Sequence, residues 1–320
     1  MNELEKFADA FEGIVPYAGT PPRGYLVDWL GAITDVRFRS YLGLEAKEHG
    51  GKFVQTRVPT LEDGEGWFEA VNQVEAARNA RGSFVMVSLG ACYGAQTVGS
   101  YLALQKVNPM DCKLVAVEPE PENIAWIARH FIDNGIEPND HWLVPLVISN
   151  TNNPVFFPVG SPGTGAQNCY ATNEAAARAQ YIDAILAKGN VAEGLRGLLL
   201  HNTTGLRKDL IPGFPAEIKM LSALTLDEIL GPFNKVDYLE VDIQQSEGIV
   251  FPPKMNLIKR KVRRIHFGTH GKDVHKDLSD NFRRLGWEII FDYEPNSEYN
   301  TDFGSFALND GVLSVVNPAV

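Results

Sequence analysis

Cysteine is scarce in this chain: Cys92, Cys112 and Cys169 are the three among 320 residues, and no two stand in CxxC spacing. That excludes a disulfide framework and a structural zinc ribbon, and it fits a reducing compartment. Positive charge is in deficit too, with 29 Lys plus Arg against 40 Asp plus Glu and a formal net charge of −11. Such a balance repels a phosphate backbone unless one face gathers the cations. The dense basic run Lys259-Arg260-Lys261-Val262-Arg263-Arg264 precedes a strand-like segment and reads as its solvated entry, so no nucleic-acid partner is expected. No run of about 18 apolar residues occurs, and the opening Met1-Asn2-Glu3-Leu4-Glu5-Lys6 has none of the character of a signal peptide. No membrane partner is expected, and the expected location is cytoplasmic.

What is present is the composition of a packed enzyme, 44% hydrophobic and 22% charged, in a length that suits one large α/β domain with elaborations. Residues 1–80 read as a helical N-terminal cap, punctuated by turns at Gly19-Thr20-Pro21-Pro22-Arg23-Gly24 and Glu48-His49-Gly50-Gly51. From residue 81 to 320 strands and helices alternate. Phe84 to Leu89 is an apolar run suited to a strand buried on both faces, and a helix over Ala95 to Val107 follows it. Lys113 to Glu118 is the second strand; Ile124, Ile127, Ala128 and Phe131 then mark one face of a helix that stops at Asn134-Gly135. Trp142 to Ile148, Val236 to Asp242 and Arg264 to Gly268 read as further strands, and Val274, Leu278, Phe282 and Leu285 as a helix face. Trp287 to Phe291 and Gly311 to Val316 close the chain as a strand pair with no helix between them. The expected fold is a doubly wound, mostly parallel sheet with an antiparallel edge strand. An inserted segment, about 151–220, departs from the alternation; its middle, Asn173 to Lys188, reads as a helix.

The chemistry is expected where the first strand runs into Leu89-Gly90-Ala91-Cys92-Tyr93-Gly94, a glycine turn that opens a helix. In doubly wound sheets ligands sit at the carboxyl ends of strands, and glycines let them approach the backbone. Ser88, Gly90, Ala91, Cys92, Tyr93 and Gly94 are therefore candidate cofactor contacts. Glu118, followed by Pro119, closes the second strand, from where a carboxylate can accept both hydroxyl hydrogens of a ribose. A dinucleotide fingerprint needs GxGxxG, whereas the spacing from Gly90 is GxxxGxxxxG with Cys92 in place of the second glycine. A nucleoside without phosphates needs no pyrophosphate cradle, which points to S-adenosylmethionine.

Taken in order, Val87-Ser88-Leu89-Gly90-Ala91-Cys92-Tyr93-Gly94, Val117-Glu118-Pro119, Leu226-Asp227-Glu228-Ile229-Leu230 and Val236-Asp237-Tyr238-Leu239-Glu240-Val241-Asp242-Ile243-Gln244 resemble the FkbM family of S-adenosylmethionine-dependent methyltransferases. The resemblance runs from about Phe84 to Gly286 and implies a Rossmann-like methyltransferase sheet. It implies that Gly90, Ala91 and Gly94 line the methionine and ribose side of the cofactor, that Glu118 holds the ribose, and that Leu146 and Val147 lie near the adenine. It also places Asp242 where the family's KIDxxGxE-like motif faces cofactor and substrate. Two positions depart from the pattern. Ser88 stands where the family usually has an acid, and the family's Gly-x-Glu is stretched to Gln244-Gln245-Ser246-Glu247.

Methyl transfer from a sulfonium is an in-line displacement, so the protein must align the reactants and take a proton from a hydroxyl acceptor. Asp242, His266 and His270 are the candidate catalytic residues, either histidine serving as a base if poised near neutrality. The same three could instead hold a divalent metal, although nothing in their spacing fixes one. Each also has a structural reading, as a strand-end cap for Asp242 and a satisfied core residue for the histidines. Arg207 and Lys208 in the insertion could meet an anionic substrate or be surface charges. The resulting expectation is an O-methyltransferase acting on a hydroxyl of a sugar or secondary metabolite, with a small-molecule or glycan substrate and a possible homo-oligomer. A nucleotide-dependent oxidoreductase or epimerase, and a catalytically silent S-adenosylmethionine-binding protein, are the alternatives.

Overall fold

The computed structural model describes residues 4–7, 9–41, 49–159, 217–244 and 246–320, without the side chains of 39–41, 156–159 and 217–220. Helix α1 (Glu65–Asn79) leads into a repeating unit of β1 (Phe84–Leu89), α2 (Ala95–Val107), β2 (Cys112–Val117), α3 (Pro121–Asp133) and β3 (Trp142–Val144). The unit resumes with β4 (Val236–Val241), α4 (Met255–Lys261), β5 (Val262–Thr269), α5 (Lys272–Arg284), β6 (Glu288–Tyr293) and β7 (Gly311–Val316). The seven strands form one sheet in the order β3-β2-β1-β4-β5-β7-β6, parallel except for β7, which runs antiparallel to both its neighbours. This is a Rossmann-like α/β sheet. The antiparallel strand expected at this edge is β7, and it lies one position in, with β6 outside it.

Side-chain alternation divides each strand between two faces. Val87, Leu89, Leu239, Val241, Ile265, Phe267, Leu313 and Val315 belong to one apolar cluster with Ile258 of α4 and Leu278 and Phe282 of α5. Phe84, Met86, Leu114, Ala116 and Tyr238 pack on the opposite face with Val98 of α2 and Ile127 and Phe131 of α3. Helix α1 lies on that second face, against β4, β5 and β7. The order of strands reverses between β1 and β4, which opens a crevice at their carboxyl ends.

Two expectations are corrected. The third strand contributes only Trp142–Val144 to the sheet, because Pro145 has no N–H to donate to the ladder; Val147–Ile148 pairs instead with Ala223–Leu224 in a separate parallel pair. The segment before α1 is not mainly helical. Its described residues form the strand pairs Ala18–Gly19 with Val54–Gln55 and Tyr25–Val27 with Ile33–Asp35, a short helix at Val36–Tyr41, and 3-10 turns at Glu5–Phe7 and Leu61–Asp63. The Gly and Pro punctuation between residues 19 and 24 interrupts any longer helical run. Between β6 and β7 the chain forms a hairpin of its own, Ser297–Thr301 with Gly304–Leu308. The expected helix over Asn173 to Lys188, Cys169, and Arg207 with Lys208 lie outside the described residues.

Candidate functional site

The crevice is closed at its floor by main chain. Asp242 donates its N–H to Leu89 O at 2.9 Å, and a Cβ built on Gly90 would stand 1.8 Å from the carbonyl oxygen of Asp242. Gly90 has φ +83°, so both backbone conformation and the passing β4 loop demand glycine there. The freedom expected at Gly90 for ligand approach is taken by the neighbouring strand. Gly94, at φ +79°, precedes the first turn of α2, and a Cβ there would meet Thr97 and Ile127. The N–H groups of Gly90 and Ala91 both donate to Val117 O at 3.0 Å, and that of Gly94 donates to Ala91 O.

Glu118 sits just past β2, buried, and organises the loop. Its Oε2 accepts from Cys92 N at 2.8 Å and its Oε1 from Glu120 N at 2.9 Å. Burial pushes its carboxyl up to about 7 against the lowering effect of those hydrogen bonds and one from Asn123. Asn123, in the first turn of α3, is buried, and its Oδ1 has no hydrogen-bond partner among the described residues. An acceptor carboxylate beside an unsatisfied buried carbonyl is the arrangement a ribose diol can complete. The sequence reading missed Asn123, although its place one turn into the helix after Glu118 was legible.

The other predicted cofactor residues divide. Cys92 has a positive φ of 49°, and burial pushes its thiol up, which leaves it unreactive. The ring of Tyr93 lies 4.3 Å from that of Phe38, so the segment before α1 packs onto the glycine loop. Pro119 is half-buried beside Glu118, and Leu146 is half-buried beyond β3, its N–H donating to Val144 O. Val147 is turned into a small apolar cluster with Val155 and Ala223, so its side chain does not face the crevice. Ser88 is wholly buried, and its hydroxyl donates to Glu240 Oε2 at 2.5 Å across the β1–β4 ladder. That bond belongs to the sheet interior, which removes Ser88 from the cofactor contacts.

Across the crevice, Asp242 follows β4 with 45% of its side chain exposed. Its Oδ1 accepts from Gln244 Nε2 at 2.9 Å and lies 3.2 Å from His270 Nε2. Glu247 is fully buried despite the stretched loop before it: its Oε1 accepts from Ile243 N at 3.0 Å and lies 3.2 Å from His270 Nδ1. Asp310 Oδ1 is 3.6 Å from His270 Nε2. Burial opposes charge on His270, but Asp242 and Glu247 outweigh it and push the imidazole up to about 10. His270 is therefore an imidazolium at neutral pH, and the expectation of a base poised near neutrality is corrected. His266 is buried to 1% and pushed down to about 4 by that burial, with Nδ1 2.9 Å from Ser314 Oγ. It has no opening to the crevice through which to serve as a base. Of the three predicted catalytic residues, Asp242 and His270 are brought together and His266 lies deeper beneath α1.

Four acids escaped the sequence reading. Glu65 and Glu69 project from α1 at i and i+4, Glu240 is buried on β4, and Asp310 precedes β7. Burial, then Asp242, holds the Glu240 carboxyl well above its usual range. The Glu65/Glu69 spacing was visible; what it faced was not.

Residues 89–289 match the methyltransferase FkbM domain. A curated protein of Jannaschia sp. (strain CCS1), which carries a methyltransferase name, is 25% identical over 220 residues, 68% of this chain and 67% of that one. Among solved structures, a precorrin-6y C5,15-methyltransferase from Geobacter metallireducens GS-15 aligns with TM-score 0.36 and 10% identity, over 78% of this chain and 86% of that chain. An O-methyltransferase from Bacillus cereus, solved with SAH, aligns with TM-score 0.31 and 10% identity, over 81% and 84%.

Proposed function

Because the chain belongs to the FkbM methyltransferase family, we propose that it moves a methyl group from S-adenosylmethionine to a hydroxyl of a small sugar or secondary metabolite. The observation that carries the choice of cofactor is the commitment of the glycine loop's donors. The N–H groups of Gly90, Ala91, Cys92 and Gly94 all bond protein oxygens, so this loop offers no nest of free donors for a pyrophosphate. That favours a nucleoside cofactor over NAD and argues against the oxidoreductase reading. Glu118 and Asn123 would hold the ribose, with Gly90, Ala91 and Gly94 shaping the floor beneath it. When bound, the cofactor supplies an electrophilic methyl on a sulfonium.

The chain's own part in the transfer is alignment and proton removal. Asp242 Oδ1 accepts from Gln244 Nε2 and lies 3.2 Å from His270 Nε2, and the carboxylate, 45% exposed, would accept the proton of an acceptor hydroxyl. His270, itself held by Glu247, balances the charge of that carboxylate. The scarcity of cysteine supports work in a reducing compartment, the cytoplasm.

The test is transfer of a labelled methyl group to a panel of sugar and polyketide hydroxyls by wild type and Asp242→Asn. Transfer by wild type is expected, with kcat lower by about 10²–10⁴ in the variant and S-adenosylhomocysteine affinity kept. Equal turnover would remove Asp242 from the mechanism, and cofactor binding without transfer to any acceptor would favour the silent binding protein.

A further inference from the structure

We propose that Glu65, Glu69 and His266 form a binding site for one divalent first-row transition metal ion, of the Mn²⁺ or Zn²⁺ kind, under the first two turns of α1. One ring nitrogen of His266 and one carboxylate oxygen from each glutamate lie within 4.8 Å of one another. The glutamates share a helix face because they are four residues apart. His266 comes up from β5 opposite them, 1% exposed, and its Nε2 has no hydrogen-bond partner among the described residues. A metal ion would satisfy that bare buried nitrogen.

The outer contacts are those a ligand set needs. Ser314 Oγ, 2.9 Å from His266 Nδ1, also accepts from Asn72 Nδ2 at 2.9 Å, and Asn72 Oδ1 accepts from Arg264 at 2.7 Å. Asn72 Nδ2 also stands 3.3 Å from His266 Nδ1, and the metal-binding tautomer is the one in which Nδ1–H donates to Ser314 and Nε2 keeps its lone pair. Gln73 donates to Gln96 Oε1 at 2.6 Å, and Gln96 bonds Glu69, which fixes that carboxylate. One imidazole and two carboxylates suit Mn²⁺ or Zn²⁺ better than Ca²⁺ or Cu⁺.

The site borders the crevice. A Cβ built on Gly268 would stand 3.2 Å from Glu65 Oε1 and 4.0 Å from Asp242 Cβ, so glycine at 268 keeps the space between them open. A dication held there would place positive charge beside Asp242, an influence on the crevice that rests on the methyltransferase reading.

The test is calorimetric titration of the chelator-treated full chain with Mn²⁺, with Zn²⁺ in competition and S-adenosylhomocysteine binding measured in parallel. One Mn²⁺ per chain is expected, with affinity lowered at least thirtyfold in Glu69→Gln and about tenfold in Ser314→Ala, which leaves all three ligands in place. A folded wild type that binds neither metal, or variants with unchanged affinity, would overturn the site. Stoichiometric metal on a protein that ignores S-adenosylhomocysteine would support the site and refute the methyltransferase reading instead.

Discussion

The two faces of β1, β4, β5 and β7 differ in kind. Toward α4 and α5 these strands present Val87, Leu89, Leu239, Val241, Ile265, Phe267, Leu313 and Val315, with Asp237 and Thr269 as buried polar exceptions at the strand ends. Toward α1 and α2 the same strands present Ser88, Glu240, Arg264, His266 and Ser314, all buried. The apolar face holds the sheet to its helices by area removed from water. The other holds polar groups that must each find a partner, and it meets the crevice at the end where Asp242 and His270 emerge. Both faces hold apolar core, and the second also gathers the buried polar groups that lead to the crevice.

The sharpest way to break that division is on the apolar face. Phe267 is wholly buried, with its ring centroid 4.8 Å from that of Phe251 and 5.7 Å from that of Phe282. Phe267→Ala should cost about 3–5 kcal/mol in urea unfolding, while S-adenosylhomocysteine affinity per folded molecule stays as it was. A large loss of affinity in the folded fraction would mean that the faces are not separate.

At the crevice the effect should be smaller and depend on pH. His270 is raised in the folded state from its ordinary 6.5 to about 10, so its contribution is full below about 6.5 and is lost as pH rises through 10. His270→Gln should cost about 2 kcal/mol at pH 7 and remove the decline in stability between those limits. A variant whose stability runs parallel to wild type across that window would contradict the charged reading. The smallest effect is expected inside the polar face. Ser88→Ala deprives Glu240 of its donor and should cost about 1 kcal/mol, with cofactor affinity unchanged; a tenfold loss of affinity would return Ser88 to the cofactor site.

The same division explains what could be read in the sequence. The apolar runs of β1, β2 and β4 and the helix face through Ile127 and Phe131 placed those elements within a residue or so, because burial on both sides leaves a pattern along the chain. Val236–Val241 shows the limit. Its Asp237 and Glu240 look in sequence like interruptions of a strand, yet both are buried, one donated to by Val85 N and the other by Ser88. Glu118 and Asp242 were legible because strand ends are positions in a topology. Glu65, Glu69 and Asp310 were not, since helix α1 and the turn before β7 reach the crevice only through packing. Glu247 was obscured by the stretch before it; its own carboxylate closes that loop on Ile243 N, which spacing alone does not reveal. The segment before α1 misled because short strand pairs and turns leave no period long enough to register.

The central claim is that the crevice between β1 and β4 binds a nucleoside through Glu118 and acts on it through Asp242. Calorimetric titration of S-adenosylhomocysteine into wild type, Glu118→Gln and Asp242→Asn tests it most directly, with NAD in a parallel cell. The account predicts binding in wild type, affinity weakened at least tenfold in Glu118→Gln, affinity within about threefold of wild type in Asp242→Asn, and no heat from NAD. Heat from NAD alone, or S-adenosylhomocysteine affinity indifferent to Glu118, would contradict it.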